Sequence, residues 1–323
     1  FWSEKNVFVT GADGFIGSWV AKGLVEQGAK VVVLVRDLKP GLGFELQGIK
    51  DKVTIVKGDL VDFASLERPI NEYEIDSVFH IATQAIVGIA NSSPLSTFES
   101  NIKGTWNLME ACRLHDKVKR IVVASSDKAY GVQKKLPYTE DSPLHGLFPY
   151  DASKACTDIL ARSYFATYGL PVAVTRNANT YGGGDMNFSR IIPDAIRCLL
   201  EGKKFVIRSD GTPQRDYMYV KDAANAYLTL GQALDKKEIR GEAFNFGTQT
   251  PVNVLELFAK IAKVMGKPNE KPQVLGQAKN EIDRQYLAID KAKKFLGWTP
   301  KYSLEDGLKE TVGWYKDFFA KNK

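Results

Sequence analysis

The sequence predicts a doubly wound, parallel α/β sheet joined to a smaller mixed α/β lobe. Short β-branched runs alternate with helical stretches through the first half of the chain, a rhythm that builds parallel sheets covered by helices on both faces. A glycine-rich turn separates the first run from the first helical stretch. After about Tyr181 the rhythm breaks into turns, short runs and terminal helices.

Asn6 to Thr10 reads as a buried strand, followed by the glycines and a helix from about Phe15 to Gln27. Lys30 to Val35, Val53 to Val56, Ser77 to Ile81, Arg120 to Ala124 and Val172 to Arg176 continue as strands. Runs this short and apolar suit strands covered on both sides. Helical stretches lie between most of them, as at Gly104 to His115. Gly182-Gly183-Gly184-Asp185 then forms a flexible turn before a helix from about Ile192 to Glu201. Residues 222–234 read as a helix returning to the sheet, and helices at Val254 to Met265 and Leu304 to Ala320 build the lobe. The expected partition is 1–180 with 216–247 for the sheet domain, and 181–215 with 248–323 for the lobe.

The 323 residues allow ample core, and 44% apolar with 25% charged residues is ordinary for a soluble protein. No apolar run approaches the ~18 residues that a membrane span requires. The opening Phe-Trp-Ser-Glu-Lys is not leader-like, so a cytoplasmic location is expected. Cys112, Cys156 and Cys198 lack CxxC spacing and the histidines are scattered, so neither a disulfide framework nor a metal site is expected. The net charge of +6 has no dense basic block beyond the tail at Lys321 and Lys323. Arginines holding an anionic small molecule explain that surplus, and nucleic acid is not expected as a partner.

Thr10-Gly11-Ala12-Asp13-Gly14-Phe15-Ile16-Gly17 has G-x-x-G-x-x-G spacing between the first strand and first helix. Glycines there permit a tight turn and let backbone N–H groups approach a pyrophosphate, as in a Rossmann dinucleotide site. The second strand ends Val35-Arg36-Asp37. Asp37 suits the ribose hydroxyls of NAD, whereas Arg36 suits the 2′-phosphate of NADP; NAD is the expected cofactor, with NADP open. Asp59-Leu60 follows the third strand, placed either for the adenine edge or as a helix N-cap.

Tyr150 and Lys154 lie four apart in Pro-Tyr-Asp-Ala-Ser-Lys, so on a helix they share a face. An ammonium nearby and a positively charged nicotinamide would both favour the phenolate, making the tyrosine a usable base. Upstream lies Ser125-Ser126-Asp127-Lys128.

These features resemble the extended short-chain dehydrogenase/reductase family of nucleotide-sugar enzymes over essentially the whole chain. The resemblance is carried by the N-terminal TGADGFIG, HIATQ at His80 to Gln84, NIKG at Asn101 to Gly104, YDASK, and Arg176 through Gly182. It continues in Gln214-Arg215-Asp216 and Leu296-Gly297-Trp298-Thr299-Pro300. Ser126-Asp127-Lys128 is similar to the 4,6-dehydratases of that family, where 4-epimerases usually carry a small non-ionisable pair. The opening Phe-Trp, the SSDK run and the stretch from Gly182 to Asp194 look most like the CDP-glucose 4,6-dehydratases. Thr83 and the Asn177-Ala178 pair depart from the family's pattern, so nucleoside specificity does not transfer.

The resemblance implies that Tyr150, helped by Ser125 or Ser126, takes the proton from the sugar O4 as the C4 hydride passes to the nicotinamide. The C5 proton of the resulting ketone then becomes acidic. Asp127, if protonated, would donate to the departing O6 hydroxyl, Lys128 would serve as base or as enolate stabiliser, and the hydride would return to C6. Both side chains reach the sugar only if the chain turns there, since neighbours on a strand face opposite ways. The resemblance also implies cofactor contacts at Ala82 and Lys154, besides the glycine loop. It implies substrate contacts at Gln84, Ser125, Asn179, Arg190 and Ile192, with Arg215 and Arg284 on the diphosphate. His80 is expected to pack or cap a strand end, and Trp298 to anchor the last helix. The expected substrate is a nucleoside-diphosphate hexose, with CDP-glucose the leading candidate, and the expected assembly a homodimer through Asn101 to His115 and Tyr150 to Ala166. A 4-epimerase, or a dinucleotide-binding sensor or scaffold without turnover, are the alternatives.

Overall fold

A computed structural model of the chain describes residues 1–277 and 282–322. β1 (Asn6–Thr10) leads through the glycine turn into α1 (Phe15–Glu26), then β2 (Lys30–Val35). The short α2 (Gly43–Leu46) precedes β3 (Val53–Lys57), α3 (Ala64–Glu72) and β4 (Ser77–His80). Helices α4 (Val87–Ser92), α5 (Pro94–Phe98) and α6 (Gly104–Arg113) lead to β5 (Arg120–Ala124). The long α7 (Pro149–Tyr168) then leads to β6 (Val172–Asn177).

Past β6 come β7 (Asn179–Tyr181), α8 (Ile191–Glu201), β8 (Val206–Ile207), β9 (Gln214–Arg215) and β10 (Tyr217–Tyr219). Helix α9 (Val220–Ala233) and β11 (Ala243–Phe246) return to the main sheet. The chain then forms β12 (Val252–Asn253), α10 (Val254–Val264), β13 (Gln273–Val274) and β14 (Arg284–Gln285). It closes with α11 (Asp290–Leu296) and α12 (Leu304–Lys321).

The main sheet has seven strands in the order β11-β6-β5-β4-β1-β2-β3, and every neighbouring pair is parallel. Alternate residues feed opposite faces, which is why the runs look uniformly apolar. Val7 and Val9 join the cluster under α1 and α9, while Phe8 joins the one under α6 and α7. Strand order reverses beside β1, opening a crevice at the carboxyl ends of β1 and β4, where such sheets bind ligands.

The sequence expectation contained no strand at β11. Its Ala-Phe-Asn-Phe run is broken by Asn245, which is fully buried. The Asn245 amide donates to the Tyr138 carbonyl at 3.0 Å and its oxygen accepts from the Tyr130 hydroxyl at 2.7 Å. Local hydropathy cannot show such distant partners. The expected boundary of the lobe is also crossed, because Ile289, Ala292 and Trp298 join the core of the main sheet. Trp298 meets Phe246 edge-on at 4.9 Å. The lobe proper packs α8, α10 and α12 around Ile192, Ile196, Phe258, Ile261 and Tyr315. It carries a small sheet ordered β12-β9-β14.

Among the described residues no helix is long and apolar enough to cross a membrane, and no group of His, Cys, Asp and Glu could hold a metal ion.

Candidate active site

The glycine loop is shaped by two close approaches. A Cβ on Gly11, whose φ is +79°, would lie 2.6 Å from the Ala82 nitrogen. One on Gly17 would lie 2.1 Å from the Gly11 carbonyl oxygen. Gly14 is different: it is the N-cap of α1, with no side-chain cap and no acidic residue in the first turn. Phe15 packs toward the lobe core and Ile16 toward the sheet core, which leaves their backbone N–H groups for an anion at the helix start. Gly11, Gly14, Phe15, Ile16, Gly17 and Ala82 are thus the residues that could hold a dinucleotide pyrophosphate.

At the end of β2 the exposed Arg36 Nε donates to Asp37 Oδ2 at 2.9 Å. Its guanidinium is held above the usual arginine range first by that bond, with Asp59 and Asp13 adding negative charge. Asp59 accepts from the Val61 N–H at 3.1 Å. It does not cap α3, whose first turn is met by Asp62 bonding Ala64 at 3.2 Å, so the N-cap alternative for Asp59 is set aside. Leu60 is buried against Gly104, where a Cβ would come within 2.8 Å of it.

Tyr150 and Lys154 occupy the first turns of α7, which begins with Pro149, a residue suited to a helix start. Lys154 is 3% exposed, and its ammonium donates to the Ala124 carbonyl at the end of β5. Burial pushes this lysine down to about 7, with Asp158 opposing. Burial likewise pushes Tyr150 up to about 12, while a Ser126 hydrogen bond and the charge of Arg190 act the other way. Ser126 and Arg190 are thus groups that ease ionisation of the phenol.

The adjacent serines separate in role. Ser125 Oγ donates to the Lys154 carbonyl at 3.1 Å, which commits it to the α7 backbone. Ser126 is the serine beside Tyr150, and it donates to Asp127 Oδ1 at 3.1 Å while accepting from the Lys128 N–H. That cap starts a 3₁₀ turn over Asp127–Tyr130, the bend that the sequence argument required. Lys128 Nζ meets Asp127 Oδ2 at 3.2 Å.

Two further groups at this turn carried no sequence signal. Gln285 on β14 is fully buried; its amide donates to the Asp127 carbonyl at 3.0 Å and its oxygen accepts from Lys128 Nζ. Asp151, next to Tyr150 in the motif, is pushed up to about 6 by burial, with Lys128 pulling it down and Asp127 pushing it further up. Gln285 lies 157 residues from Lys128, so no local pattern joins them. Asp151 was legible only as the unassigned second residue of the YDASK run.

On the substrate side, Asn179 opens β7 opposite Tyr217. Arg190 pairs with Asp185 at 3.0 Å, and its charge is felt at Tyr150. Ile192 is 2% exposed inside the lobe core, so its side chain is committed to packing instead of the expected substrate contact. Arg215 and Arg284 sit on neighbouring strands β9 and β14, and the Arg284 guanidinium lies over the Tyr286 ring at 4.9 Å. Gln84 spends its side-chain oxygen on the Ile86 N–H at 3.2 Å.

His80 bonds Thr10 at 2.9 Å and Thr105 at 3.1 Å, and burial, with Lys154 nearby, pushes it down to about 3. It is a neutral strand-end fastener. Arg176 is a buried brace, bonding Asp158 through two nitrogens at 2.7 and 2.9 Å. Asn177, also buried, has no hydrogen-bond partner for either side-chain polar atom.

CDP-glucose 4,6-dehydratase of Salmonella typhimurium is 31% identical over 333 residues, covering 98% of this chain and 92% of that protein. Among solved structures, UDP-glucose 4-epimerase from Thermotoga maritima, with UDP-glucose, is similar at TM-score 0.89 and 31% identity, covering 97% of this chain and 99% of that one. The dTDP-glucose 4,6-dehydratase from Bacillus anthracis, in complex with NAD, is similar at TM-score 0.86 and 29% identity, covering 97% of each chain. The profile of the family described as GDP-mannose 4,6 dehydratase matches residues 8–311. On that match, and on the motifs of its glycine loop and Tyr-Lys helix, the chain belongs to the GDP-mannose 4,6 dehydratase family of extended short-chain dehydrogenase/reductases.

Proposed function

We propose that this protein is an NAD-dependent nucleotide-sugar 4,6-dehydratase, releasing water and leaving a 4-keto-6-deoxy sugar nucleotide. The observation that carries the reading is the Ser126-Asp127-Lys128 turn beside Tyr150, which brings an acid and an amine to the base that opens the reaction. Tyr150, relayed by Ser126, takes the O4 proton. Asp127 donates to the leaving O6 hydroxyl, and Lys128 removes the C5 proton or steadies the enolate. The glycine cradle would hold NAD, which when bound would supply the hydride acceptor for C4 and the donor for C6. The carboxylates around Arg36 support NAD over NADP, because Asp37, Asp59 and Asp13 disfavour a 2′-phosphate there. Arg215 and Arg284 suit the substrate diphosphate.

CDP-glucose is the first substrate to test, on the strength of the Salmonella relative. The epimerase similarity keeps a second reading in view; it shares the C4 oxidation but needs no acid and base at Asp127 and Lys128. Nucleoside-diphosphate glucoses carrying deuterium at C4 separate the two. The dehydratase reading expects deuterium at C6 of a 4-keto-6-deoxy product. Recovery of C4 epimers alone, with no 6-deoxy product from any nucleotide, overturns it.

A homodimer belongs to the same proposal. The packed helices α6 and α7 expose Trp106 at 42% and Ile159 at 56%, apolar surface of the kind covered in dimers. Replacing both by Glu is expected to convert a dimer to monomer in light scattering; an unchanged mass would move the interface elsewhere.

A further inference from the structure

We propose that Gln285 is a positioning residue that holds the Asp127–Lys128 pair in register with the diphosphate-binding edge of the lobe. The role rests on the dehydratase reading and adds to it a residue that the shared motifs do not contain.

Both ends of the Gln285 carboxamide are spent on consecutive residues of the 3₁₀ turn. The amide donates to the Asp127 carbonyl at 3.0 Å, and the oxygen accepts from the Lys128 ammonium. Lys128 is thereby held from two sides, by Gln285 and by Asp127 Oδ2 at 3.2 Å. A long lysine side chain otherwise carries large rotational freedom, and restricting it is what an aligned proton transfer requires.

The strand that supplies Gln285 is itself fastened. In β14, Arg284 pairs with Gln214 and Gln285 with Arg215. Just beyond, Tyr138 N–H donates to the Tyr286 carbonyl at 3.0 Å and Ala288 N–H to the Tyr138 carbonyl at 2.9 Å. Gln285 therefore sits where the lobe sheet is pinned to the segment that follows the catalytic turn. Any shift of β14 as Arg215 and Arg284 engage a diphosphate is passed through one carboxamide to Asp127 and Lys128. The first oxidation meets this link only indirectly, through Ser126, since Tyr150 and Lys154 are held by α7 and β5.

The test compares wild type, Gln285→Leu and Gln285→Glu on the nucleoside-diphosphate glucose that wild type turns over. Two rates are read in single turnover: appearance of reduced nicotinamide absorbance, and formation of the 4-keto-6-deoxy product. Gln285→Leu is expected to slow product formation about 10- to 100-fold while the oxidation rate falls less than about threefold, so that reduced cofactor accumulates. Gln285→Glu keeps the acceptor for Lys128 and loses the donor to the Asp127 carbonyl; it should recover part of the loss, and it carries the test if thermal unfolding shows Gln285→Leu misfolded. Equal slowing of both rates, or none, overturns the role of Gln285. A wild-type enzyme that yields no 6-deoxy product overturns the dehydratase reading, and this role with it.

Discussion

Replacing Asp127 by Asn together with Lys128 by Ala is expected to lower formation of the 4-keto-6-deoxy product by about 10²- to 10⁴-fold, the usual worth of positioned acid–base groups. Oxidation at C4 should stay within about tenfold of wild type, because its barrier is served by Tyr150 and a Ser126 that both remain. The Asp127 carboxyl and the Lys128 amine touch at 3.2 Å, so the single variants should not add, and the double variant is the cleaner measurement. Product formation and reduced-cofactor absorbance, followed in the same mixture, decide it. If both collapse together, the pair serves the first step or the fold; if neither falls, it is a surface turn.

Lys154→Met is expected to reduce turnover by at least about 100-fold and to change how stability responds to pH. Burial pushes this lysine down to about 7, against about 10.4 in an unfolded chain. Between those values the unfolded protein binds more protons than the folded one. Wild-type stability therefore gains from this group as pH rises through that window, by about 1.4 kcal/mol per pH unit. The variant has no such term. Urea unfolding of the cofactor-free protein at increasing pH from neutrality should thus show wild type improving relative to Lys154→Met, with the variant's relative standing best near and below the lower value. Parallel stability curves would mean that Lys154 is not desolvated as its packing against Ala124 indicates.

Much of this site is legible as local pattern. The G-x-x-G-x-x-G loop and the Tyr150–Lys154 spacing report contacts made within one turn or one strand–helix junction, so they survive in the sequence. The alternation of strands and helices does so as well, because a parallel strand buried on both faces must be apolar throughout. What failed to show are contacts between distant segments. Asn245 hid β11, since its polarity is satisfied by Tyr130 and Tyr138. Ile192 looked like a pocket residue because its place after Arg190 says nothing about which way α8 turns its apolar face. Ser125 and Ser126 were indistinguishable until the 3₁₀ cap assigned one to the Lys154 carbonyl and the other to Tyr150.

The sequence by itself determined the fold class, the dinucleotide loop and the Tyr-Lys face, all of which depend on spacing along one stretch of chain. Only the tertiary structure decided that Asp127 and Lys128 turn together, that Gln285 holds them, and that Ser126 and Arg190 oppose the burial of Tyr150. The physical reason is desolvation and reach. Whether a phenol or an amine is buried, and which partner crosses 157 residues of chain to meet it, depends on how the lobe packs on the sheet, and no local pattern encodes that.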